Sequence, residues 1–322
     1  AMSDGVAPED PVTGDGWSRL PLACPRCRGI LAPTDAGASC SGCGERYRCE
    51  DGVLRLSLGR EGAPGYDPHF FDTLEQVEDR HFWFVVRRAI IFEALQRSVP
   101  DLDARGLFDI GCGSGGLLAY LQRRGVKVDG ACDAYLESLE IVRRRMKLPL
   151  VLVDEGRLPP LAPGHRLLAL FDVLEHLDDD REMLRFLWSV LEPGGTLVLT
   201  VPAHPFLFDD RDRAAQHRRR YRRRDLREKL EAAGLEVEVL TFFMAALVPL
   251  LLAGRGVAQL LPSRWRQHPD RHTLELKVVP GLNGLLRGVF GLERLFLRWG
   301  SLPFGSSILV VARRPVTSGP GR

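Results

Sequence analysis

From Gly106 onward, short apolar runs alternate with segments whose apolar positions recur every three or four residues. The runs are GLFDI, VKVDGA, LVLVD, LLALF and TLVLTV. Strand-length apolar runs separated by helical periodicity predict a parallel sheet wrapped by helices, an α/β architecture. The stretch from Phe70 to Leu95 is helical in pattern. Residues 1–18 are polar and rich in Gly, Pro and Asp, which predicts disorder. Residues 19–58 carry short apolar runs and most of the cysteines, and 59–69 (GREGAPGY and its flank) have the Gly/Pro content of a linker. The main domain then spans 70–315, with a tail at 316–322. Within it, residues 244–305 form a helical insertion. MAALVPLLLAG is short and interrupted by Pro249, while GLNGLLRGVFGLERLFLRWG is amphipathic, with Arg287, Arg294 and Arg298 on one side. No apolar run reaches the ~20 residues of a membrane-crossing helix.

The chain has 322 residues, room for about two domains, and a net charge of +2 from 44 basic and 42 acidic residues. That balance supplies no global field toward nucleic acid or membrane, so any such affinity must be local. Of seven cysteines, five lie between 24 and 49. An odd, clustered set argues against a disulfide framework and for a metal site in a cytoplasmic protein, one that could still be peripheral to the membrane. The spacing Cys24-x2-Cys27 and Cys40-x2-Cys43 suits two tight knuckles whose four thiolates complete a tetrahedral zinc shell, a structural site with no open position. Metal binding would fold a segment too small to stand on its own apolar core. LACPRCRGIL…ASCSGCGERYRCEDGVLRL resembles the small zinc-ribbon proteins related to the tRNA-methyltransferase activator subunit, departing from them at Cys49.

FDIGCGSGG (108–116) follows the first strand of the main domain and opens a helix. Its glycines allow a tight turn and close approach of a ligand to the backbone. Alone, that loop fits a plain strand–helix turn or a dinucleotide dehydrogenase equally well. Asp133, 22 residues after Gly111, stands at the end of the second strand, where a carboxylate can hold a ribose diol. LVLVDEGRLPP places Asp154 and Glu155 after the third strand, and LLALFDVLEHL places Phe171, Asp172, Glu175 and His176 at the end of the fourth.

Together with LEPGGTLVLTVP (191–202), these segments resemble the class I S-adenosylmethionine-dependent methyltransferases. The resemblance implies a Rossmann-like, seven-stranded sheet whose last strand is antiparallel. SSILVVARRP (306–315) would be that strand and LEVEVLTFF (235–243) its hairpin partner. It also implies S-adenosylmethionine as methyl donor. Asp109 would anchor the loop, Gly111, Cys112, Gly113 and Gly115 face the methionine, and Asp133 and Ala134 the ribose. Asp154, Glu155 and Gly156 would border the adenine, with Phe171, Asp172 and His176 below the sulfonium. The aromatic segment EDRHFWFVVRR (78–88) would close over the donor through Phe82, Trp83 and Arg87.

Candidate proton acceptors are His176, His204 and His217, each near a strand end. His217 and Tyr221, four apart, share a face if that stretch is helical. The run HRRRYRRRD (217–225) carries six arginines that could grip phosphate or face solvent beside nearby carboxylates. Two insertion helices acting as a lid favour a small-molecule or lipid- or sugar-linked acceptor methylated at oxygen or nitrogen in a biosynthetic pathway. A membrane-surface contact through 244–300 or a homodimer interface are the other uses open to them. The alternative is methylation of a ribosomal or transfer RNA base, with the ribbon and the arginine run holding RNA.

Overall fold

Eleven strands hydrogen-bond into one mixed sheet in a computed structural model that describes residues 16–59, 69–260 and 278–316. The chain runs β1 (Leu31–Thr34), β2 (Gly37–Cys40), β3 (Arg46–Glu50), β4 (Val53–Arg55), α1 (His69–Val77), α2 (Phe82–Ser98), β5 (Leu107–Ile110), α3 (Gly116–Arg123), β6 (Val128–Asp133) and α4 (Leu136–Arg145). It continues through β7 (Leu150–Leu152), β8 (His165–Phe171), α5 (Asp180–Val190), β9 (Leu191–Pro202), α6 (Asp210–Ala214), α7 (Arg223–Ala232) and β10 (Glu236–Phe243). Helices α8 (Leu247–Leu260) and α9 (Pro280–Leu297) precede β11 (Ser307–Arg313).

The spatial order is β1-β2-β3-β4-β7-β6-β5-β8-β9-β11-β10. Strands β4 through β9 pair in parallel, and β11 runs antiparallel to both β9 and β10. Alternation along the central strands feeds two cores. Phe108, Ile110, Leu168 and Leu170 face α5, α7 and the cysteine-bearing segment. Leu107, Leu167 and Ala169 face α2, α3 and α4.

The sheet exceeds the expected seven strands because the N-terminal segment continues it. Val53 pairs with Leu150 and Leu54 with Val151 in parallel, while Cys49 pairs with Leu54 antiparallel. The cysteine-bearing hairpins thereby cover what would be an exposed edge at β7. Leu54 is fully buried. The expected disorder of 1–18 also needs correction at its end: Gly16–Arg19 form a 3₁₀ turn, and Trp17 is buried against the same core. The remainder of that segment, nearly all of 59–69 and residues 317–322 lie outside the described residues.

The helical stretch before β5 is two helices. It breaks at Glu78–His81, where the His81 ring accepts a hydrogen bond from the Trp83 amide and caps α2. Helix α9 lies along α2 with a mixed face inward, in which Leu286, Phe290 and Leu297 pack into the core. Asn283 joins the Phe82 amide and the Arg80 carbonyl, and Arg294 and Arg298 pair with Glu93. Phe290 is buried and stacks on Phe82. The outward side is apolar. No helix among the described residues is long and apolar enough to cross a membrane.

Because β4 is an integral strand of the main sheet, Leu54→Ala should destabilise the whole chain by about 2–5 kcal/mol. In urea unfolding followed by far-UV circular dichroism and tryptophan fluorescence, both signals should shift together. A shift confined to one would mean that β4 belongs to a separately folding unit.

Candidate active site

The glycine loop leaves β5 at Ile110. Gly111 (φ +78°) and Gly115 (φ +70°) hold left-handed conformations, and Gly115 caps α3. A Cβ at Gly111 would come within 2.5 Å of Val173, and one at Gly115 within 2.7 Å of Val142. Both positions therefore combine a backbone that disfavours a side chain with no room for one. The Asp133 carboxylate, at the end of β6, ties the loop to the next strand. It accepts from the Gly113 amide at 2.8 Å and from the Tyr135 amide at 3.0 Å. Ala134 follows, half-buried.

A cleft of about 160 Å³ opens over this loop. Asp109, Gly111, Cys112 and Gly113 line one side, Phe171 and Asp172 another, and Phe84 and Arg87 of α2 the roof. Arg87 is buried, ion-paired to Asp172, bonded to the Thr200 hydroxyl, and stacked against Trp83 and Phe243. Of the aromatic segment, then, Arg87 and Phe84 reach the cleft, whereas Phe82 faces α9. Glu78, from the break between α1 and α2, bonds the Ser114 hydroxyl at 2.8 Å and pairs with Arg145, so α1 is latched onto the loop. Neither Glu78 nor Ser114 carries a sequence signal, since both depend on where the helix breaks.

Beyond β7 the expected residues separate. Asp154 is turned to the cysteine-bearing segment, accepting from the Ser57 hydroxyl at 2.7 Å and the Leu58 amide at 3.0 Å. Gly156 (φ +67°) is exposed in a groove beside Arg28. Glu155 accepts from the Tyr135 hydroxyl at 3.1 Å.

The three histidines also divide. His176 and His217 stand edge to face, ring centroids 4.9 Å apart. His217 Nδ1 donates to the buried Asp212 at 2.8 Å, and Arg220 holds the same carboxylate. Glu175, fully buried, lies 3.9 Å from His217 Nε2. Burial, with His217 beside it, holds His176 down to about 4, so the ring is neutral at physiological pH. His204 stacks on Phe242 instead, and burial lowers its pKa too. The shared helix face of His217 and Tyr221 does not form. Residues 217–220 are irregular, and the Tyr221 hydroxyl is buried on Asp180 and the Leu174 carbonyl. Four of the run's arginines are likewise engaged within the chain. Arg218 and Arg219 bond carbonyls of the loop after Glu175, Arg220 holds Asp212, and Arg224 pairs with Glu228.

Cys24, Cys27, Cys40 and Cys43 bring their sulfurs within 4.8 Å of one another, and Cys49 stands apart in β3. The pairs Cys24–Cys43 and Cys27–Cys40 are 3.7 and 3.4 Å apart. A tetrahedral ion with ~2.3 Å bonds to sulfur needs separations close to these, so the four residues fit a metal.

A family model described as Methyltransferase domain matches residues 46–240. The chain belongs to that methyltransferase family. It is 27% identical over 174 residues to a probable S-adenosylmethionine-dependent methyltransferase of Mycolicibacterium smegmatis, covering 52% of this chain and 64% of that one. It is 34% identical over 110 residues to the mitochondrial ubiquinone biosynthesis O-methyltransferase of Schizosaccharomyces pombe, 31% of this chain and 39% of that one. The match thus spans less than two-thirds of either relative. In fold, it is similar to a chain from the complex of the Haloferax volcanii Trm112 methyltransferase activator (TM-score 0.50, 16% identity, 79% of this chain and all of that one).

In this chain the floor of the cleft is under electrostatic stress. Burial, with the nearby Asp133 charge adding to it, pushes the Asp109 carboxyl up to about 8. Its Oδ1 has no hydrogen-bond partner among the described residues. An unfolded aspartate titrates near ~3.9, so between pH 4 and 8 the native state keeps a proton that the unfolded state has lost. Stability without donor should therefore fall across that interval. Asp109→Asn removes the slope, so its urea midpoint relative to the parent should rise steadily from pH 4 to 8 and level off above. A constant difference would contradict the assignment.

Proposed function

We propose that the chain moves the methyl group of S-adenosylmethionine onto oxygen or nitrogen of a small-molecule or lipid- or sugar-linked acceptor in a biosynthetic pathway. The donor would lie across the glycine loop, with Gly111, Cys112, Gly113 and Gly115 beside its methionine portion. Its ribose would meet Asp133 and Ala134, its adenine Glu155, and its sulfonium the Phe171–Asp172 floor under Arg87 and Trp83. The sulfonium carbon is already electrophilic, so the protein's task is to align an acceptor lone pair and exclude water. Proton removal would fall to the strand-end histidines.

The observation that carries the acceptor class is the outward face of α9. Leu282, Leu285, Val289, Leu292, Phe296 and Trp299 recur at three- and four-residue steps and are exposed, Trp299 at 88%. A helix that leaves such a row of apolar side chains in solvent suits a membrane surface or the apolar tail of an acceptor. We place the protein in the cytoplasm, peripheral to the membrane, and a second copy is the other partner this face would accept. The name of the fission-yeast relative supports transfer to oxygen. We also assign a structural zinc ion to Cys24, Cys27, Cys40 and Cys43, bracing the sheet edge. The RNA reading loses support from the arginine run, whose side chains are largely spent on internal carbonyls and carboxylates.

Transfer of labelled methyl from S-adenosylmethionine into a fractionated extract of the source cells tests the acceptor. Label should enter organic-extractable or small polar material. Label in nuclease-sensitive polymer would overturn the acceptor class.

A further inference from the structure

The polar knot beside the cleft holds a buried carboxylate that the methyl transfer proposed above does not use. Glu175 follows three residues after Asp172 in the turn Leu174–His176, and its side chain is fully buried. Both of its carboxylate oxygens lack a hydrogen-bond partner among the described residues. Arg87 and Arg220 act on it electrostatically, yet neither bonds it. A buried carboxylate with both oxygens orphaned is costly unless something absent from the polypeptide meets it.

What surrounds it is a ligand set. One ligand atom from each of Glu175, His176 and His217 lies within 4.8 Å of the other two. The His217 ring is fixed from behind: Asp212 takes the Nδ1 proton at 2.8 Å and is itself held by Arg220, leaving the Nε2 lone pair facing Glu175. Metal-bound histidines are oriented in this way by a carboxylate on the far nitrogen. Gln216, just before His217, sits at φ +58°, a left-handed conformation uncommon for a residue with a side chain. The His176 ring stands edge to face on the His217 ring, centroids 4.9 Å apart.

We propose that Glu175, His176 and His217 form a second metal site, separate from the cysteine cluster, for a divalent first-row transition ion. The donor set is two imidazoles and a carboxylate, which suits Mn, Fe, Co or Zn as a divalent ion rather than Ca²⁺. Bonds of ~2.0–2.2 Å require donor atoms about 3–4 Å apart, so the observed 3.9 Å between His217 and Glu175 needs little contraction. Three protein ligands leave an open position, the arrangement of catalytic rather than structural ions. That position would take an acceptor oxygen, a hydroxyl or carboxylate, beside the Asp172 end of the donor cleft. This last use rests on the function proposed above. The site itself does not, and the test reads binding alone.

The full chain, its cysteine cluster filled with one equivalent of Zn²⁺, is titrated with Co²⁺ and followed by absorption. Cobalt on nitrogen and oxygen gives weak d–d bands, whereas cobalt on thiolate adds an intense sulfur-to-metal band. One equivalent should bind with d–d bands and no thiolate band. Glu175→Gln, nearly isosteric, and His217→Ala should each weaken it at least tenfold. His204→Ala, outside the cluster, should bind as the parent does and controls for adventitious histidine binding. Absence of the d–d spectrum in the parent, or equal binding in Glu175→Gln and His217→Ala, overturns the proposal. Neither outcome bears on whether S-adenosylmethionine binds.

Discussion

The constraint on which the molecule turns is the Asp133 carboxylate, kept almost free of water at the end of β6. Burial raises its pKa, and the amides of Gly113 and Tyr135 oppose that rise by donating to it. Those two amides belong to the glycine loop and to the entry of α4, so one side chain fixes where the loop lies relative to two strands. The loop's left-handed glycines then have to meet Val173 and Val142 without a Cβ, which sets how closely α3 and α4 approach the sheet. From the other side, Glu78 reaches across to Ser114 and draws α1 and α2 over the cleft.

The cysteine-bearing segment takes part in the same arrangement. Its last strand extends the sheet beyond β7, and the residues just after that strand, Ser57 and Leu58, bond Asp154. An acidic residue that would border the donor's adenine is thereby committed to holding the segment in place. Damage to the cysteine-bearing segment should consequently reach the cleft through β7 rather than through any direct contact with substrate. The likeness to a chain of the Trm112 activator complex is one of fold and leaves the ribbon's purpose to these local contacts.

Much of the cleft was legible in the sequence because its parts are local. A strand end, a tight turn and a helix start are nine consecutive residues in FDIGCGSGG, and the CxxC pairs specify their own geometry. What was not legible depended on partners distant in the chain. Six arginines in nine residues look like a phosphate grip until Asp178, Asp180, Asp212 and three backbone carbonyls are found to receive Arg218, Arg219 and Arg220. The periodicity of α9 revealed an amphipathic helix but not which side faces inward, and Glu93 on α2 decides that. The pattern before Asp154 marks a strand end, but not that Ser57, 97 residues earlier and just past β4, donates to its carboxylate. The break between α1 and α2 had no proline or glycine to announce it.

Calorimetric titration of S-adenosylmethionine into the intact chain and into Asp133→Asn tests the central claim most directly. The parent should bind one equivalent, and the variant should bind at least tenfold more weakly, a difference of about 1.4 kcal/mol or more, with its fold intact by circular dichroism. Equal affinity in the two, or no binding to the parent, would contradict the placement of the donor at the ends of β5 and β6.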